Sequence, residues 1–184
     1  MRELSLNILD IAQNSIAAGA SLTEILVKED TAEKTLLIGI YDNGKGMTEE
    51  QVRNVQDPFF TTRTTRKVGM GIPLFKMAAE QTGGSFKITS QVGVGTRVEA
   101  LFKTDSVDFT PLGDMGSTVS AIVCMNEDKD FVYTREIDGE AFKFSSAEIK
   151  TILDGVPLSE PSVINWVEGY ISEQTDELLS SQAN

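Results

Sequence analysis

The chain has 184 residues and a net charge of −12 at pH 7, from 16 lysine and arginine residues against 28 aspartate and glutamate residues. This length accommodates one good-sized domain, or a domain with a small appendage, around a real hydrophobic core. A single cysteine and the lack of any apolar segment as long as a membrane span argue against disulfide-stabilised and membrane-embedded classes, so we expect a reduced, cytoplasmic protein.

The charge is distributed unevenly along the sequence. Residues 1–104 contain 12 basic and 12 acidic residues, whereas residues 105–184 contain 4 and 16. This change predicts a domain boundary at Thr104-Asp105, followed by an acidic module with a partner-docking or structural role. The acidic part argues against nucleic-acid binding, because phosphate contacts need lysine and arginine. A merely solvated acidic surface is the alternative meaning of the charge.

The first predicted helix, residues 4–18, carries a polar stripe. Asn7, Asp10 and Asn14 follow an i, i+3, i+7 spacing that puts them on one side of the helix, between leucine and isoleucine side chains. Polar groups between apolar flanks are expected to face inward, where amides and carboxylates need partners. A metal–phosphate ligand would supply those partners. The alternative is an ordinary amphipathic helix with solvated polar residues.

Two predicted strands, residues 22–28 and 35–41, follow this helix. The second ends in Asp42-Asn-Gly-Lys-Gly46, so a buried strand delivers one carboxylate into a glycine loop. Glycine at alternate positions permits close approach of the backbone to a ligand. Because Asn43-Gly44 is also an ordinary hairpin turn, this motif alone does not establish a binding site.

A polar loop and a second glycine loop come next. Thr48-x-x-Gln51 predicts a capping box that opens a short helix. Residues 57–67 are rich in threonine and basic residues, which suits either a lid over phosphates or a solvated basic loop. Residues 68–72 contain Gly-Met-Gly and precede a predicted helix from Pro73 to Gln81, whose N-terminus offers backbone N–H groups to an anion. Neither a Walker A loop nor a Rossmann fingerprint is present.

Two further amphipathic strands, residues 85–90 and 97–103, are joined by Gly93-Val-Gly-Thr96. Together with the earlier pair they form a sheet with one buried face, which the helices at 4–18 and 73–81 can cover. The predicted fold class is α+β, a two-layer α/β sandwich with a small C-terminal α+β module.

The C-terminal module is predicted as a three-stranded meander followed by two helices. The strands are residues 117–125, 131–137 and 141–144, with Asp138-Gly139 as a tight hairpin turn. Ser145 or Ser146 caps a helix to Leu153, and an amphipathic helix runs from Pro161 to about residue 179.

Five motifs in order resemble the family of gyrase, Hsp90, histidine-kinase and MutL-type (GHKL) ATPases over residues 4–103. Residues 9–20 resemble the N box, and Asp42–Gly46, Gly69–Gly71 and Gly93–Thr96 resemble the three glycine boxes. Residues 57–63, Asp-Pro-Phe-Phe-Thr-Thr-Arg, resemble the phenylalanine box of sensor kinases. The fold of that family, the Bergerat-type ATP-binding fold, is the two-layer sandwich inferred above.

The resemblance implies a pocket for ATP and Mg²⁺. Asn14 would be the Mg²⁺ ligand, and Asp42 would accept a hydrogen bond from the adenine amino group. Gly46 would let the base lie against the backbone, and Thr96 would support the Asp42 carboxylate. Further nucleotide contacts, including glycines that turn the lid onto the phosphates, are expected from Gly44, Met47, Thr61, Thr62, Arg63, Lys67, Gly69, Met70 and Gly71.

Asp10 is the catalytic residue that the resemblance implies. It stands four residues before Asn14, where hydrolytic members and serine-directed kinases carry glutamate and many histidine kinases carry asparagine. An acid at this position favours a water or hydroxyl nucleophile, which gains from a base that takes its proton. Aspartate is one methylene shorter than glutamate, and a displacement of about 1 Å costs on the order of 10²-fold in rate, so we expect slow turnover.

The chain contains no histidine, which excludes phosphorylation of its own histidine. The resemblance therefore implies a regulatory Mg-ATP-binding protein that hydrolyses ATP slowly or phosphorylates a hydroxyl group of a separate protein. A non-catalytic ATP-gated binding module and the kinase half of a split two-component system stay open as alternatives, as does a homodimer. Because the chain starts at the N-box helix, we expect no preceding element and no dimerising helical hairpin.

Overall fold

A computed structural model describes residues 3–60 and 70–183. Within these ranges the chain forms an α+β fold, as predicted from the sequence. The strands are β1 (Leu22–Asp30), β2 (Thr35–Asp42), β3 (Ser85–Gln91), β4 (Gly95–Lys103), β5 (Asp130–Ile137) and β6 (Glu140–Ser145). The helices are α1 (Leu4–Ala17), α2 (Glu49–Val55), α3 (Gly71–Gln81), α4 (Met115–Cys124), α5 (Ser146–Leu153) and α6 (Pro161–Gln182).

The strands form one mixed sheet in the order β3-β4-β2-β1-β5-β6. All neighbours are antiparallel except β1 and β5, which are parallel. Alternating residues of the sheet face a core that they share with α1, α3, α4 and α6; this core includes Ile25, Val27, Ile38, Ile40, Val98, Ala100 and Phe102. Burial of each large apolar side chain contributes about 1.5–3 kcal/mol, so the period-2 pattern of these strands fixes which face turns inward.

The acidic C-terminal part contributes to the same sheet and the same core. Strand β5 pairs with β1 from Leu22 opposite Asp130 to Glu29 opposite Ile137, and α4 packs between α1 and α6. The change in charge at Thr104-Asp105 thus falls within a continuous sheet. Division into an ATP-binding part and an acidic module remains a prediction from composition.

The prediction of a strand over residues 117–125 is wrong, because this segment is helix α4. The β-branched run around Val119 and Ile122 favours a strand by composition, but the helix is buried on nearly all sides and shows no polar stripe. A short apolar run does not distinguish a buried strand from a buried helix. Asp114 is the N-cap residue of this helix, and its side chain accepts a hydrogen bond from the Ser117 N–H at 2.9 Å. The meander is therefore the β5–β6 hairpin alone.

Helix α3 begins at Gly71 and not at Pro73, which was predicted as its first residue. Proline is tolerated there because the first N–H groups of a helix have no intrahelical partner. The capping box at Thr48 and the cap at Ser145 are confirmed, and so is the tight turn at Asp138-Gly139, where both residues have positive φ. None of the described helices is both long and apolar enough to cross a membrane.

The C-terminal part also caps helix α1. The Leu4 and Ser5 N–H groups donate to the carbonyl oxygens of Pro111 and Leu112 at 2.9 and 2.8 Å, whereas the Glu3 side chain makes no capping hydrogen bond. Two of the free N–H groups of the first turn are thereby satisfied. The segment that follows β4 consequently helps to position the helix that carries Asp10 and Asn14.

Candidate functional site

A cavity of about 240 Å³ opens between α1, the ends of β2 and β4, and the start of α3. Its walls are mostly apolar and come from Ile11, Ile40, Met47, Val55, Ile72 and Val98. The polar side chains among its lining residues are few: Asn14, Ser15, Asp42, Lys45 and Thr96. An apolar pocket with a small number of convergent polar groups is the usual form of a small-molecule site.

Asp42 is the fixed polar group of this cavity. It is the last residue of β2, and its Oδ2 accepts a hydrogen bond from the Ser15 hydroxyl at 2.8 Å. Its Oδ1 accepts one from the Gly44 N–H, also at 2.8 Å. Each carboxylate oxygen keeps a further lone pair. The arrangement therefore presents an oriented acceptor to a ligand that carries an N–H donor.

Ser15 is a site residue that sequence reasoning missed. Its side chain is buried, at 2% exposure, and it joins α1 to a strand end 27 residues further along the chain. The available signal was its place directly after Asn14 in a helix whose polar groups face inward. Lys45 was missed as well; its backbone N–H donates to the Ala18 carbonyl at 2.9 Å and fastens the glycine loop to the end of α1.

Thr96 does not make the contact with the Asp42 carboxylate that is expected from the sequence. It lies opposite Asp42 in the β2–β4 ladder, but its hydroxyl lies 2.8 Å from the hydroxyl of Ser90. The Ser90 hydroxyl also accepts the Met47 N–H at 2.8 Å and donates to the Gly95 carbonyl at 3.0 Å. The hydroxyl that holds the carboxylate is thus that of Ser15, while Thr96 and Ser90 hold the backbone at Met47.

Gly46 is required by a close approach of two backbone segments. Its φ is 72°, and a Cβ at this position would overlap the carbonyl oxygen of Gln91 in β3. The expectation that a ligand lies against Gly46 is compatible with its place in the cavity wall, but the neighbour that excludes a side chain is the protein itself. The loop after Asp42 is thereby pressed against β3.

Replacing Gly46 by alanine is expected to destabilise the fold more than replacing Gly93. Gly93 has a similar φ of 80° but nothing within 4 Å of its would-be Cβ. Gly93→Ala should therefore cost only the left-handed backbone, about 1–2 kcal/mol, and Gly46→Ala should cost a further ~1–3 kcal/mol from overpacking. Urea unfolding of the two variants measures the difference. Equal losses would show that the segment at Gln91 moves away freely.

Asp10, Asn14 and the start of α3 meet at the edge of the cavity. A Cβ at Gly71, the first residue of α3, would lie 3.3 Å from the Asp10 Cβ and 4.0 Å from the Asn14 amide nitrogen. Glycine thus lets the positive end of α3 approach both polar side chains. Burial raises the pKa of the Asp10 carboxyl above its ordinary value of 3.8. Together, a carboxylate, an amide and a helix N-terminus can bind an anionic group and orient a nucleophile that attacks it.

The structure brings together most of the site residues that it describes. Those that line the cavity are Asn14, Asp42, Gly46, Met47 and Thr96. The Gly44 N–H donates to Asp42, Gly71 lies next to Asp10, and Met70 is the N-cap residue of α3. The other predicted residues lie outside the described ranges: Thr61, Thr62, Arg63, Lys67 and Gly69.

Comparison with known proteins finds relatives of the N-terminal part of the chain. Residues 1–106 match the sequence profile described as Histidine kinase-, DNA gyrase B-, and HSP90-like ATPase. Sensor protein SrrB of Staphylococcus aureus is 34% identical over 101 residues, which are 52% of this chain and 17% of the relative. Sporulation kinase D of Bacillus subtilis is 29% identical over 91 residues, 50% of this chain and 18% of the relative. The chain thus spans less than a fifth of the length of these relatives.

Proposed function

The chain belongs to the family of histidine kinase-, DNA gyrase B- and HSP90-like ATPases, and from that membership we propose that it is a regulatory Mg-ATP-binding protein. It uses ATP for slow hydrolysis or for phosphorylating a hydroxyl group of a separate protein. The observation that carries the proposal is the Asp42 carboxylate, held by Ser15 and Gly44 at the base of an apolar cavity. A flat base with an exocyclic amino group fits this combination.

The base-binding end follows from the residues around Asp42. The free lone pairs of the carboxylate accept a hydrogen bond from the amino group of adenine, while Ile40, Met47 and Val98 supply apolar contact to the ring. Fixing the carboxylate beforehand lowers the cost of ordering it on binding. Guanine carries a carbonyl in place of this amino group, so in the same orientation it would face the carboxylate without a donor.

The phosphate end lies toward α3. Among the described residues, no group of three or more histidine, cysteine, aspartate or glutamate side chains could hold a metal ion. Mg²⁺ needs no such group, because it keeps several waters and takes one or two protein ligands together with substrate phosphates. Asn14, whose amide lines the cavity, is the protein ligand that fits. Bound Mg²⁺ would neutralise phosphate charge, and the α3 N-terminus would add to that.

Asp10 is the residue proposed to act on the nucleophile. Asp10 lies beside the start of α3, and its carboxylate would accept the proton of a water or hydroxyl group that attacks the terminal phosphate. An acid at this position supports a hydroxyl acceptor. The names of the relatives, a sensor protein and a kinase, support a second candidate, the kinase half of a split two-component system whose histidine lies on a partner.

The nucleotide site is tested by titration calorimetry of the full chain with ADP and a non-hydrolysable ATP analogue, with and without Mg²⁺. Asp42→Asn is expected to weaken ADP binding by about 10- to 100-fold, because it loses a charged acceptor. Ser15→Ala should weaken it by about fivefold, the value of one ordinary hydrogen bond. Asp108→Asn, an exposed carboxylate after β4, is the matched control and should change nothing. Equal affinity in the Asp42 variant would remove this site from the proposal.

The acceptor is tested separately by incubating the chain with radiolabelled ATP and a co-purified partner. Acid-stable label on the partner is expected for a hydroxyl acceptor. Acid-labile label would instead support the split two-component candidate, and release of free phosphate alone would support hydrolysis.

A further inference from the structure

A second cavity, of about 150 Å³, lies between α4, α6 and β5. The described residues that line it do not overlap with those of the first cavity. Its floor contains Tyr133 and Arg135 of β5, which are 1% and 5% exposed. Two buried polar side chains of this size in a sheet core require hydrogen-bond partners.

The floor carries two unpartnered donors. Among the described residues, the Tyr133 hydroxyl and the Arg135 Nε are the buried side-chain atoms without a hydrogen-bond partner. The rest of the guanidinium is engaged, since Nη2 donates to Glu29 Oε2 at 2.7 Å and Nη1 to the Glu136 carbonyl at 3.2 Å. Burial raises the pKa of the Tyr133 hydroxyl, so it keeps its proton. Both groups can therefore donate a hydrogen bond to an acceptor in the cavity.

The N-terminus of α4 faces the same cavity. Met115 and Gly116, its first two residues, are among the lining residues. The first N–H groups of a helix have no intrahelical partners, and the Asp114 side chain is already bonded to Ser117. Gly116 also sets the cavity wall, because a Cβ there would lie 2.7 Å from the Ser172 hydroxyl of α6. This end of the cavity adds further donors to those of β5.

The rim of the cavity also carries acidic groups. The exposed Asp176 of α6 lines the cavity, as does Asp114, the N-cap residue of α4, and Arg135 forms an ion pair with Glu29 at 2.7 Å. A simple anion would satisfy the donors but meet two carboxylates, and a simple cation would leave the donors unpaired. A molecule with a carboxylate at one end and an ammonium group at the other can satisfy the donors and also pair with Asp176.

We propose that this cavity binds a small zwitterion, a free α-amino acid of the size of glycine or alanine. Its carboxylate accepts from Tyr133, Arg135 Nε and the α4 N-terminus, and its ammonium group faces Asp176. The size agrees, because about 150 Å³ corresponds to about five water molecules of ~30 Å³ each. Its lining residues are distinct from those of the nucleotide site, and binding there would make the chain responsive to a second small molecule.

The test is titration calorimetry and thermal unfolding of the full chain with glycine, L-alanine, acetate and methylamine at millimolar concentrations. Glycine or L-alanine is expected to bind and to raise the unfolding temperature, with acetate and methylamine each at least about tenfold weaker, since each lacks one of the charged contacts. No heat and no thermal shift with either amino acid would overturn the proposal and leave a cavity that holds water only.

Two variants with small structural cost assign the contacts. Tyr133→Phe removes only the hydroxyl and is expected to weaken amino-acid binding about tenfold while ADP binding stays unchanged. Asp176→Asn, at the exposed rim, should bring L-alanine down to the affinity of acetate. Unchanged amino-acid affinity in Tyr133→Phe would place the ligand elsewhere, and equal binding of acetate and L-alanine to the parent would exclude the zwitterion.

Discussion

A chain that ends at Lys103 is expected to lose cooperative unfolding and, with it, nucleotide binding. The cut removes β5 from its pairing with β1 and α4 from its packing against α1. It also removes many fully buried side chains of the shared core: Val119, Ile122, Val123, Phe131, Tyr133, Phe144, Val167 and Ile171. At about 1.5–3 kcal/mol for each, their sum of about 12–24 kcal/mol is as large as or larger than the whole stability of about 5–15 kcal/mol of a typical domain.

The effect should reach the nucleotide site through α1. Without residues 105–184, the Leu4 and Ser5 N–H groups lose the carbonyl oxygens that cap them, and the part of α1 that packs against α4 faces water. Circular dichroism during thermal unfolding, with ADP titration in parallel, measures both losses. A chain ending at Leu178 is the matched control, because it keeps β5, α4 and the buried residues of α6 and loses only the last turn of this helix, with its hydrogen bonds from Ser181 and Gln182 to the β5–β6 hairpin. A Lys103 chain that melts cooperatively and binds ADP like the full chain would make the C-terminal part a separate module.

The sequence suggested such a module because its charge composition changes. Charge composition reports on exposed residues, and the surface of the chain does change character near Thr104-Asp105. The core does not change with it, since β5 continues the sheet by pairing with β1 more than 100 residues earlier. Parallel pairing at that distance leaves no local signal in either strand. Amphipathic strands could be predicted one by one, but their order in the sheet could not.

The proposed nucleotide site could be predicted from the sequence where its residues are held by local backbone. Asp42 ends a strand and enters a glycine loop, and Asn14 lies on a polar helical stripe, so both follow from spacing. Ser15 and Ser90 act through contacts 27 and 43 residues away, with Asp42 and Met47 respectively. The sequence alone does not distinguish these two serines from any others, because their contacts form only when α1 and β3 pack. Motifs thus locate the groups that face a ligand, and the structure adds the groups that hold them in place.

Asp10→Asn is expected to lower turnover by about 10²- to 10⁴-fold, the usual contribution of a general base, while ADP affinity stays within about twofold. Asp10 lies beside the start of α3 and is not among the residues that line the base-binding cavity, so its loss should affect the reaction and not adenine recognition. Phosphate release or label transfer measures the first quantity, and calorimetry measures the second.

The role of Asp10 also predicts how turnover and stability change with pH. Burial raises the pKa of Asp10 above 3.8 in the folded chain, and a base works in its ionised form. Turnover of the parent should therefore fall as the pH drops through this raised pKa. The stability contribution has the opposite sense: it is fully present below the unfolded pKa and is lost as the pH rises through the folded one. Asp10→Asn should consequently be at least as stable as the parent at neutral pH.

This combination separates a base from a structural carboxylate. If Asp10 had a structural role, the Asp10→Asn variant would be less stable than the parent. If Asp10 is the base, the variant has lower turnover and the same or a higher stability. Asp108→Asn, exposed and remote from the cavity, should change neither property and controls for the loss of one charge. Parent-level turnover in Asp10→Asn would assign the proton to another group. A parent that binds Mg-ATP tightly but neither releases nor transfers phosphate would instead make the chain an ATP-gated binding module, in which ordering of the site around the nucleotide is itself the output.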